Sequence, residues 1–176
     1  MRRGNTLKDM RRLVVICASL AALAAPASAL AVREPAGDGT LVVRNGAGPA
    51  KVPVVALTIT GAAIGHVGHG RIVIDDWTPN DKASPEVTGY ESRKDGPTDT
   101  AQTWAGTDFT FRAVGGKYSI VIYGSGVHVV AVGRGTVTLT GLSDTSVTDG
   151  RYSLNGDPFL SLPGTATPKL TIGSTG

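Results

Sequence analysis

The sequence predicts an all-β fold, a sandwich or irregular barrel of about ten short, mostly antiparallel strands. Three observations point there. Two-residue alternation of apolar and polar side chains recurs along the chain, glycine-rich pairs and triplets separate those runs, and aromatic residues number only nine in 176. Burial must therefore come from Val, Ile and Leu, which suit strands better than a helical bundle. No stretch after residue 29 carries helical periodicity long enough to form a helix. A short right-handed β-solenoid is the alternative, because coils joined by glycine corners present the same alternating faces.

Residues 1–29 read as a secretory signal peptide. Arg2, Arg3, Lys8, Arg11 and Arg12 form a charged head, residues 13–25 an apolar run, and Ala27-Ser28-Ala29 a small-x-small cleavage pattern. The run is shorter than the roughly 20 residues a spanning helix needs. Cleavage would begin the mature chain at Leu30 and leave no integral membrane span. Arg11-Arg12 could belong to a twin-arginine signal, but paired arginines are ordinary in a charged head, and the general secretory route is the reading adopted. Cys17, the sole cysteine, lies in this leader, and Ile16 stands where a lipidation motif needs a small residue. The domain should hold itself together without disulfides.

Removing the leader reverses the charge. The chain carries 17 basic and 14 acidic side chains; five and one of these lie in the leader, leaving 12 and 13. A net charge of −1 gives no electrostatic footprint for a nucleic-acid partner. Residues 30–176 are one domain in size, large enough for a core without cross-links.

Within that domain the strand runs follow in order. Leu41 and Val43 alternate with Val42 and Arg44. Val55, Leu57 and Ile59 share one face opposite Thr58 and Thr60. Ile72 and Ile74 sit among Arg71, Val73 and Asp75. Phe109 and Phe111 alternate with Thr110 and Arg112, and Val137 and Leu139 with Thr136, Thr138 and Thr140. Gly115-Gly116, Gly124-Ser125-Gly126 and Gly133-Arg134-Gly135 read as turns. Asn155-Gly156 reads as the turn of a terminal hairpin, with a last strand over residues 169–172. An offset of 65 lays residues 61–76 over 126–141, which suggests two related units, about 53–76 and 118–141. Between them a polar segment, about 75–107, holds Pro79, Pro85, Pro97 and both tryptophans. Connections of such length are often functional.

That segment supplies the candidate ligand-binding residues, Trp77, Tyr90 and Trp104, as aromatic platforms for sugar rings. Asp75, Asp76 and Asp81 are oxygen ligands of the kind calcium takes, but their spacing matches no calcium loop. His66, His69 and His128 are metal-type ligands. The repeat offset places His66 over Ala131 and His128 over Ala63, so their side chains should leave opposite faces of the sheet, and His69 should be a solvated turn residue. No metal or other cofactor is therefore assigned.

Catalytic signatures are missing. Ser125 stands in Gly-Ser-Gly rather than a nucleophile elbow, no cysteine remains to pair with histidine, and Gly115-Gly116-Lys117 lacks phosphate-loop spacing. Nothing selects a carboxylate pair for glycoside hydrolysis. Leu162-Pro163-Gly164-Thr165 imitates a wall-sorting motif without its apolar segment and basic tail. A leader followed by short glycine-turned strands resembles small exported bacterial proteins, and no motif identifies a characterised family. The expectation is a secreted or cell-envelope, non-enzymatic β-domain that binds a ligand or partner, an envelope glycan for example, through the long segment. A structural protein that self-associates through strand edges is the first alternative, and a polysaccharide-acting hydrolase the second.

Overall fold

The computed structural model describes residues 37–79, 83–142 and 150–173. The leader assigned to residues 1–29 lies outside these, as does Asp81. The described chain contains no helix and eight strands: β1 (Gly39–Gly46), β2 (Val55–Asp76), β3 (Glu86–Thr88), β4 (Ser92–Asp95), β5 (Ala101–Leu139), β6 (Arg151–Leu154), β7 (Leu160–Ser161) and β8 (Leu170–Ile172). They form one antiparallel sheet that does not close into a barrel. Every described pairing is antiparallel, whereas a solenoid stacks its coils in parallel. The sandwich-like reading stands.

The strands number eight because several short runs merge into two long ones. β2 spans 22 residues and β5 spans 39. β2 lies between the two halves of β5: Val67 is flanked by Phe109 and Val127, and Leu57 by Ile120 and Val137. Ile120 in turn lies between Leu57 and Ile74. One long hairpin is thus coiled upon itself. One row of cross-strand partners runs Asp95, Gln102, Ile74, Ile120, Leu57, Val137, Leu170. Another runs Glu86, Arg112, Ile64, Val130, Val42, Ser153. The inward residues of both rows and their neighbours make a single core that includes Leu41, Ile59, Ile74, Phe109, Tyr118 and Val129.

Coiling requires sharp bends, and glycines stand abreast where they occur. Gly61 pairs with Gly116 on one side and Gly133 on the other; Gly70 pairs likewise with Gly106 and Gly124. Gly61 and Gly133 both have φ of +144°, and a methyl group on either would overlap the facing backbone carbonyl oxygen. The glycine clusters read as turns are therefore bends inside continuous strands, where the missing Cβ lets neighbouring backbones converge.

At several bends the inward side changes parity. Odd residues point inward from Val55 to Val67, even ones at Ile72 and Ile74. In β5 the inward set passes from Trp104 to Phe109 and Phe111, then Tyr118 and Ile120, then Val127 and Val129. The 65-residue offset preserves facing only away from these switches. β2 changes parity between Val67 and Ile72, whereas the second segment changes between Ile122 and Val127. Val67 is consequently buried while its offset partner Val132 is 38% exposed.

The C-terminal part follows its turn chemistry. Asn155 and Gly156 have φ of +51° and +85°, the central pair of a turn closed by Asp157 N–H donating to the Leu154 carbonyl (2.9 Å). β6 pairs with β7 beyond it with Tyr152 opposite Leu160, one residue out of a two-residue hairpin's register. Leu162 is fully buried, so the Leu-Pro-Gly-Thr stretch is anchored in the core.

Candidate functional site: a cleft at the sandwich edge

After β2 the chain leaves the core on a fixed path. Trp77 N–H donates to the Lys117 carbonyl (2.9 Å), and Thr78 N–H donates to the Asp76 carboxylate (3.0 Å). On the return, the hydroxyl of fully buried Tyr118 donates to the Ala83 carbonyl and ties the excursion to the core. β3 then pairs with Thr110–Arg112 of β5, and β4 with residues 102–105. The excursion therefore lines two different edges of the folded sheet, one beside each half of the sandwich.

Between those edges opens a cleft of about 350 Å³, and every residue lining it falls between Ile74 and Trp104. Ile74, Pro79, Pro85, Val87 and Trp104 supply its apolar lining. Polar groups come from Asp76, Ser84, Arg93, Asp99, Thr100 and Gln102. Arg93 Nε–H donates to Gln102 Oε1 (2.5 Å), and its guanidinium carbon sits 5.7 Å from the Trp104 ring centre. Both contacts hold the cation in the lining of the cleft. One guanidinium and two carboxylates line the cleft, so the site is suited to neutral or cationic groups over anions.

The three predicted aromatics do not form one platform. Trp104 is 5% exposed, belongs to the core and lends the cleft only part of its surface. Trp77 is 49% exposed, with the Lys117 ammonium 4.4 Å from its ring centre, and is not among the cleft residues. Tyr90, between β3 and β4, is also exposed and outside the cleft. Arg93, Asp99 and Gln102 carry the cleft's polar character and were not singled out by the sequence. An arginine on a short polar strand looks like any solvated charge until a tryptophan is seen beneath it.

Asp75 and Asp76 are consecutive strand residues and face opposite sides of the sheet. Asp75 accepts from the Thr100 hydroxyl (2.5 Å), while Asp76 is 6% exposed and held by Thr78. The structure does not bring them together. Among the described residues no three His, Cys, Asp or Glu side chains are placed to hold a metal ion.

The histidines require a correction. His66 and His128 do not leave opposite faces: they are direct cross-strand partners, with ring centres 6.1 Å apart. The error came from treating the two segments as translated copies. They are antiparallel neighbours, and the pairing register decides which side chains share a face. His69 is not in a turn; it lies within β2, exposed, with Nδ1 3.4 Å from the Thr107 hydroxyl.

Ile64 and Val130, also direct partners, are 49% and 51% exposed on that same outer face, next to Val132. No helix among the described residues is long and apolar enough to cross a membrane. Compared with known proteins, the chain matches no family model, no curated protein and no solved structure.

Proposed function

We propose that this is an exported, non-enzymatic β-domain that binds a small hydroxyl-rich ligand, such as the end of an envelope glycan, in the cleft between β3 and β4. The observation that carries this reading is the cleft's origin: all of its lining comes from the polar segment between Ile74 and Trp104. Its volume falls at the lower end of small-molecule sites, about 300–1,000 Å³. Sugar hydroxyls both donate and accept. Asp76 and Asp99 offer acceptors, Arg93 and the Gln102 amide offer donors, and Trp104 supplies apolar surface for a ring face. Export rests on the leader pattern, and mass spectrometry of secreted protein should find Leu30 at its N-terminus.

The experiment is a glycan-array screen of the mature protein, followed by the Arg93→Ala variant. Arg93 is exposed, so the variant should keep the wild-type melt and lose at least about tenfold in affinity, roughly 1.4 kcal/mol. Absence of any bound glycan, or an Arg93→Ala variant that binds like wild type, contradicts the reading.

Two other readings each have one supporting observation. Two carboxylates line the cleft, which is the equipment of a glycosidase; Asp76, however, is engaged by Thr78. That reading requires oligosaccharide release that Asp99→Asn abolishes. The exposed apolar pair Ile64 and Val130 favours self-association, which light scattering at rising concentration would detect.

A further inference from the structure

We propose that His66 and His128 form an open binding site for a divalent late-transition-metal ion on the outer face of the sandwich, sharing no residue with the cleft. Direct partners on antiparallel strands hold their Cβ atoms about 4.5–5.5 Å apart. Here the two imidazole rings lie 6.1 Å apart, tilted by 45°. Metal–nitrogen bonds of about 2.0–2.1 Å bring two donor nitrogens within about 4 Å of each other. His128 is exposed, so rotation about its χ1 and χ2 closes that span while His66 keeps its contact with Asp108 and the backbone stays fixed.

Asp108 supplies the second element of the site. Its carboxylate Oδ1 lies 2.7 Å from His66 Nε2. A carboxylate there accepts the Nε2 proton, fixes the ring and leaves the Nδ1 lone pair for a metal, the carboxylate–histidine–metal arrangement of many zinc sites. Asp108 adopts φ of +59°, one of three non-glycine residues with positive φ among those described. This left-handed backbone, tolerable for aspartate, sits within β5 where its inward set changes from Trp104 to Phe109. The apolar neighbours Ile64 and Val130 offer no competing donor. Water completes the coordination, so preference follows intrinsic affinity: Cu²⁺ first, then Ni²⁺ and Zn²⁺.

Untagged protein is titrated with Cu²⁺ and with Zn²⁺, followed by calorimetry and, for copper, electron paramagnetic resonance. One equivalent should bind, with a spectrum showing imidazole nitrogen coordination. His128→Ala should abolish that binding, Asp108→Asn should weaken it about tenfold or more, and His69→Ala should leave it unchanged. All three positions are solvent-accessible, and an unaltered melt verifies the fold of each variant. Failure of wild type to bind one equivalent overturns the proposal, as does binding that survives His128→Ala. Loss in His69→Ala would place the metal on the His66–His69 pair and overturn it equally.

Discussion

Gly124 has φ of +128°, and a methyl group on its Cα would overlap the His69 carbonyl oxygen. Its neighbour Ser125 is exposed and unconstrained by any such approach. Gly124→Ala should therefore destabilise the domain by about 3 kcal/mol, combining strain at positive φ with forced separation of two strands. Ser125→Ala should shift stability by less than about 0.5 kcal/mol. Urea unfolding of the two variants checks the contrast, and equal midpoints would show that the bend tolerates a side chain. At this scale the sequence was legible where chemistry is local. Glycine marked the bends and Asn155-Gly156 marked its turn. Arg93 was illegible because its role depends on Trp104 and Gln102 of a neighbouring strand. The His66–His128 pairing was illegible because facing depends on register.

The excursion between β2 and β5 is held at the sheet edge by the β3 and β4 ladders, and Tyr118 is its buried tether. Its single hydroxyl proton is donated to the Ala83 carbonyl, with the Val114 carbonyl also within reach at 3.2 Å. Tyr118→Phe keeps the ring in the core and removes the hydroxyl's hydrogen bond. Stability should fall by about 1–2 kcal/mol, and limited proteolysis near residues 79–85 should accelerate. Unchanged cleavage would mean that β3 and β4 hold the segment by themselves. The period-two runs revealed the strand segments, but not that they join. Joining depends on bends that keep hydrogen bonding through a change of inward parity, and alternation read over five residues ends at each such change. Runs that look like separate short strands are the straight parts of β2 and β5.

The whole molecule is dominated by pairings between residues distant in sequence. β1 pairs with the C-terminal half of β5, and β8 pairs with the same half. β2 cannot complete its edges until both halves of β5 have wrapped it. Such topology closes long loops before contacts repay the entropy, and folding should take roughly milliseconds to seconds in stopped-flow refolding. Microsecond refolding would contradict this topology. The all-β class was visible in composition and alternation. The coiled hairpin was hidden because cross-strand pairing leaves no mark on either strand alone. The cleft depends on this arrangement, since only a folded-over sheet offers the two edges that β3 and β4 occupy.

The most direct test is a set of cross-strand nuclear Overhauser contacts around β2 in isotopically labelled protein. Val67 should show backbone contacts to Phe109 on one side and Val127 on the other, and Leu57 to both Ile120 and Val137. If each β2 residue shows a partner on only one edge, the hairpin is not coiled and the cleft built upon it does not exist.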